Sequence, residues 1–146
     1  MLVFRYDKSF DGLLSALFDA YAMRAFPEQR VHEVATDPAH AARVWRGLER
    51  RLVVRARSML VYAWHGEQER SDLLMLRCMC RVFDEGGGVL ADQADPDMKA
   101  LHRLALKVSH ECERLRQFVR LQKAADGTYF AAATPEHDAL PLSLDY

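Results

Sequence analysis

Along most of the chain, apolar residues recur at spacings of three and four, the period of a helix that buries one side. The ends depart from that period. Residues 2–6, Leu-Val-Phe-Arg-Tyr, alternate instead, with Leu2, Phe4 and Tyr6 on one face and Val3 and Arg5 on the other, which predicts a short strand. Ser9 then offers an N-cap oxygen. Phe10, Leu13, Leu14, Leu17, Phe18 and Tyr21 fall on one side of a first helix, expected to end near Pro27. Asp37-Pro38 is a helix start, because aspartate caps free amides and proline loses nothing at the first helical position. The buried stripe of this second helix is Ala41, Val44, Trp45, Leu48 and Leu52. Val53 and Val54 interrupt it before a third amphipathic segment from about Arg55 to Trp64, closed by Gly66.

Ser71 opens a fourth helix that is apolar nearly all round, from Leu73 through Phe83, and is therefore expected at the centre. Gly86, Gly87 and Gly88 stop it. Asp95-Pro96 starts a long fifth helix with Leu101, Leu104, Ala105, Val108, Cys112, Leu115 and Val119 in one stripe. After the turn at Asp126-Gly127, residues 128–133 read as a second strand. A lone terminal strand would leave its backbone unpaired, so residues 129–133 are expected to pair with residues 2–6. The fold class that results is α+β and mainly helical: about five helices around the fourth, with a small sheet joining the N-terminal strand to the C-terminal one. Residues 1–146 form one domain in this reading, since no repeat and no long linker divides them.

Composition narrows the function. With 20 Lys and Arg against 21 Asp and Glu, the net charge of -1 gives no global pull toward nucleic acid or an anionic membrane, so any polyanion site must be local. Three cysteines cannot complete a disulfide framework, and the opening residues lack the basic-then-apolar pattern of a secretion signal. Charged residues interrupt every apolar run before the roughly 20 residues needed to span a bilayer. The expected setting is the cytoplasm, without a membrane partner.

Several candidate chemistries can be weighed on spacing. Cys78 and Cys80 lie two apart on a helix and point about 200° away from each other, which suits buried thiols better than a metal site. The triple glycine is not followed by Gly-Lys-Ser or Gly-Lys-Thr, and no G-x-S-x-G elbow or H-E-x-x-H pair occurs, so neither a phosphate loop nor a common hydrolase signature is read; no cofactor or metal is expected. Two basic rows are more informative. Arg43, Arg46 and Arg50 share the face of the second helix opposite Trp45, while Arg103, Lys107 and Arg114 line one side of the fifth with His110 among them. Arg116, Arg120 and Lys123 form a further row near its end. Presented together, these side chains would hold nucleic-acid phosphates; the competing reading is a solvated surface paired with Glu49, Glu111 and Glu113. Phe118 and Trp45 are expected in the core rather than as base-stacking platforms. Pro135-Glu136-His137-Asp138 places an imidazole beside two carboxylates after the second strand, making His137 a candidate for acid or base work. Its adjacency to Asp138 does not by itself make a dyad.

The order of residues adds a resemblance. Tyr6-Asp7 with Phe10, Gly12, Ala16, Phe18 and Tyr21, then Val44-Trp45-Arg46-Gly47-Leu48, then Phe118-Val119-Arg120 ahead of Asp126-Gly127-Thr128-Tyr129, and Pro135-Glu136-His137-Asp138 before Leu140-Pro141-Leu142, resemble the bacterial family DUF4130 from end to end. That family is a domain of unknown function described as a "probable DNA metabolism protein". The resemblance implies a companion role to a radical S-adenosylmethionine protein thought to repair or modify DNA, and fusion in some relatives to a uracil-DNA glycosylase-like domain. It implies no catalytic residues. It also implies a further segment after Leu142, bearing a His-Phe pair, arginines and a tryptophan, that a sequence ending at Tyr146 does not carry. The expected function is an accessory module that binds DNA backbone, a repair or modification enzyme, or both. The alternatives are a protein adaptor without DNA contact and a nucleotide- or base-processing enzyme using His137.

Overall fold

The computed structural model describes residues 3–23 and 31–144. Strand β1 (Val3–Arg5) leads into helix α1 (Phe10–Ala22), strand β2 (Val31–Glu33) and helix α2 (Pro38–Arg51). Helices α3 (Val54–Trp64) and α4 (Ser71–Glu85) follow, then a 3-10 turn at Gly87–Ala91 and the long helix α5 (Pro96–Phe118). A hairpin of β3 (Gln122–Lys123) and β4 (Tyr129–Phe130) and a short helix α6 (Leu140–Ser143) complete the chain.

Local chemistry sets most boundaries. Ser9 Oγ accepts from Gly12 N at 2.9 Å to start α1, and Met23 caps its far end; Pro27, where that end was expected, lies outside the described residues, as does Leu2 of the expected first strand. Asp37 accepts from Ala39 N and His40 N at the head of α2, and Asp95 does the same for Asp97 N and Met98 N at the head of α5. Proline follows each aspartate, as the sequence predicts.

The mainly helical α+β class holds, with α4 packed against α1, α2, α3 and α5. Leu74, Met75, Cys78, Met79 and Val82 bury one broad face of α4, while Leu73 stays exposed, so the helix is central without being enclosed. Leu13, Leu17, Leu48, Leu60, Leu101 and Leu104 fill the space around it. Arg81 fastens the end of α4 to the start of α5 by binding both Glu85 and Asp95, and Arg77 binds Asp97 at 2.9 Å. No helix among the described residues is long and apolar enough to cross a membrane.

The sheet differs from expectation. β1 does not pair with residues 129–133; it pairs in parallel with β2, in the register Val3 to Val31, Phe4 to His32 and Arg5 to Glu33. Arg5 and Glu33 bind across the pair at 2.7 Å, and Phe4 meets His32 edge to face. β4 pairs instead with β3, antiparallel, across the Asp126-Gly127 turn, where Ala124 N donates to Thr128 O at 2.7 Å. Each terminal strand pairs with a partner nearer in sequence than the opposite end of the chain, which costs less loop-closure entropy than joining the two ends. The second strand is also shorter than expected, at two residues.

Candidate functional site: an arginine groove and a clasped histidine

The first candidate arises where α2 crosses α1 and α4. Gly47 makes the approach possible: a Cβ there would lie 2.8 Å from the Phe83 ring, so only glycine lets that ring rest against α2. The groove so formed has a volume of about 700 Å³. Its floor is apolar, with Leu17, Val44, Phe18, Tyr21 and Phe83, and its rim carries Arg43, Arg46, Arg50 and Arg51. Arg51 lies over the Phe83 ring at 4.8 Å and donates to Gly47 O, and Arg43 lies over Phe18 at 5.9 Å. Among the described residues none of these four guanidinium groups is within ion-pair distance of a carboxylate.

Tyr21 is 43% exposed, yet its position is fixed. Its hydroxyl donates to Asp84 Oδ1 at 2.6 Å and to Cys80 O at 2.9 Å, as alternatives or as a shared hydrogen. Burial of the hydroxyl end, helped by the Asp84 carboxylate, raises its pKa above the usual phenol range and keeps it protonated. The ring contacts Phe83 edge to face, with centroids 5.8 Å apart.

The second candidate is the tail over α5. Glu111 is only 5% exposed, and its two carboxylate oxygens accept from Glu136 N at 2.7 Å and His137 N at 2.8 Å. Asp138 N donates to His65 O, and Asp138 Oδ2 binds His65 Nδ1, each at 3.0 Å. Glu111 pairs with Arg114 of the basic row at 4.0 Å, as the competing reading expects, and it is also the clasp that holds residues 136–137. Asp138 likewise pairs with His65 from the end of α3 and not with its neighbour His137.

His137 lines a concave cleft of about 690 Å³ together with Lys107, His110 and Arg114 from α5, and with Glu67, Glu113 and Glu136. Its Nδ1 accepts from Glu67 N at 2.9 Å, which assigns the proton of the neutral ring to Nε2. Held this way, the imidazole offers the cleft a hydrogen-bond donor. Neither nitrogen presents a free lone pair for a general base.

The two basic rows therefore face different grooves. Arg43, Arg46 and Arg50 line the α1–α2–α4 groove, joined by Arg51, while Lys107 and Arg114 line the cleft of His137. Arg103 is exposed on α5. Arg116 donates to Leu142 O at 2.6 Å, and Arg120 lines a shallow surface with Phe118 and Pro135. Phe118, expected in the core, is 72% exposed. Lys123 lies over the Tyr129 ring. Cys78 and Cys112 are buried, and burial pushes the Cys78 thiol up to about 12. Among the described residues no three His, Cys, Asp or Glu side chains are grouped to hold a metal.

A third groove, between α3, α5 and the 3-10 turn, is mostly apolar, with Val53, Met59, Tyr62, Leu90 and Leu106 in its walls. Arg51 and Arg55 border it, and among the described residues no carboxylate lines it.

These features describe a helical α+β module with an arginine-rimmed aromatic groove, a buried glutamate clasp and an apolar groove. The chain belongs to DUF4130, a domain of unknown function, whose family model matches residues 69–146. No curated protein and no solved structure matches it. The matched residues contain α4, α5, the hairpin and the clasped tail; of the arginine groove they supply only Phe83.

Proposed function

We propose that the protein is a DNA-associated accessory module that holds nucleic-acid phosphates in the α1–α2–α4 groove and serves a DNA repair or modification enzyme. The observation that carries this reading is the gathering of Arg43, Arg46, Arg50 and Arg51 on one rim with no carboxylate partner among the described residues. Guanidinium groups left free of counter-charges within the protein attract phosphate oxygens and release condensed cations when they bind. Such contacts position a nucleic acid without reading its sequence. The α5 row contributes less, because Glu67, Glu113 and Glu136 line the cleft that Lys107 and Arg114 face. No catalytic step is assigned. The companion enzyme is a radical S-adenosylmethionine protein in this reading, as the family resemblance implies.

The double charge reversal Arg46→Glu and Arg50→Glu is expected to lower affinity for a DNA oligonucleotide by at least about tenfold at low salt. It should also flatten the dependence of log affinity on log salt by roughly two phosphate contacts. Both residues are exposed, so circular dichroism should be unchanged. Affinity of the native protein that stays constant between 50 mM and 200 mM salt, by fluorescence anisotropy, would defeat the proposal.

A second reading, a docking adaptor, is favoured by the apolar groove, where Val53 is 73% and Leu106 55% exposed and which Arg51 and Arg55 also line. Its occupant would be an apolar segment of the companion enzyme carrying acidic residues. Co-purification of the two proteins is expected to survive nuclease and to be lost with Leu106→Glu. Undiminished recovery with that variant would count against the groove.

A further inference from the structure

We propose that the α1–α2–α4 groove takes single-stranded nucleic acid, with bases against the Tyr21 ring and the Arg51 guanidinium that covers Phe83, and phosphates on the other arginines of the rim. This rests on the reading of the groove as a phosphate site and adds the form of the ligand. A site for phosphates alone requires cations on a polar surface. Here the cations surround an apolar floor, and a duplex, whose bases are stacked inside, would leave that floor in water.

The floor is built for planar apolar groups. Tyr21 keeps its ring exposed while two acceptors on α4, Asp84 Oδ1 and Cys80 O, fix its hydroxyl, so stacking on it would immobilise little that is not already held. Phe83 is seated against Gly47 and covered on one side by the Arg51 guanidinium, a second planar surface suited to stacking. Asp84, the carboxylate beside this floor, is engaged by the Tyr21 hydroxyl. Among the described residues that line the groove there is no Ser, Thr, Asn or Gln. Base edges would therefore meet few hydrogen-bonding groups besides the arginines, and recognition would tolerate any sequence.

The test compares three fluorescent probes of equal phosphate number against the full chain by anisotropy: an oligothymidine, a hairpin duplex, and an abasic deoxyribose-phosphate strand. The oligothymidine is expected to bind at least about tenfold more tightly than the other two. Tyr21→Ala and Tyr21→Leu should each weaken oligothymidine binding about fivefold or more while leaving the duplex and abasic probes unchanged. Tyr21→Phe, which keeps the ring, should retain most of the affinity. Equal binding of the three probes, or an equal loss on all three with Tyr21→Leu, would overturn the single-strand assignment and leave the phosphate reading standing. Binding of none of them would remove both.

Discussion

Replacing Gly87 with alanine is expected to destabilise the protein by about 3 kcal/mol, whereas the same change one residue on, at Gly88, should be neutral or slightly stabilising. A Cβ on Gly87 would lie 1.9 Å from the carbonyl oxygen of Arg51 and 3.2 Å from Leu52 Cδ2. That oxygen belongs to the last turn of α2, so relief requires moving a helix end whose neighbours Leu48 and Leu52 are buried. At Gly88 a Cβ meets nothing within 4 Å, and alanine there would only restrict the unfolded chain. Urea unfolding midpoints of the two variants test the pair. Equal values would mean that the 3-10 turn does not press on α2.

Glu111→Ala should cost about 2–4 kcal/mol, since hydrogen bonds to a charged acceptor contribute roughly 1.5–3 kcal/mol each and water recovers part of the loss. Two backbone amides, those of Glu136 and His137, would lose their partner at once. Glu111→Gln should fall between, because an amide supplies one acceptor oxygen and turns its NH2 toward the other amide. Glu113→Ala, an exposed position two residues along the same helix, serves as the control and should change stability by less than about 0.5 kcal/mol. A further readout is proteolysis between residues 131 and 138, which should accelerate in Glu111→Ala ahead of global unfolding. A variant as stable and as resistant as the native chain would show that the tail is held by α6 and Ala139 without the clasp.

The sequence announces its helices where local chemistry decides them. Asp37-Pro38 and Asp95-Pro96 each place a side-chain acceptor next to free amides, and both helices start there. Longer-range choices were harder to read. β2 is three residues, too short to show an alternation, and its partner is selected by α1 returning the chain alongside β1. The Asp126-Gly127 turn was the better guide to β4, because such turns join strands adjacent in sequence. Glu111 gave no signal of its clasp: among Glu113, Arg114 and Arg116 it looks like another surface charge, and the amides it holds are 25 and 26 residues away. Phe118 fits the helical stripe but lies in the last turn of α5, beyond the packing of the other helices.

The candidate site divides in the same way. The row Arg43, Arg46 and Arg50 was legible from helical spacing, and Arg51, one step around the same helix from Arg50 and four residues past Gly47, could have been added to it. Tyr21 and Phe83 could not. They come from two other helices, and only the packing of α1 and α4 against α2 brings their rings beneath the arginines. His137 was legible as an unusual residue, but its tautomer depends on the Glu67 amide, which no local pattern supplies.

The parallel strand pair has a consequence for the order of folding. Its partners are 28 residues apart, and its two strands expose alternate side chains, so little apolar area rewards their meeting. It is expected to form late, after α1 has docked. Its interstrand amides, including Val34 N donating to Arg5 O, should therefore exchange with deuterium through local opening, faster than those of α4 and α5.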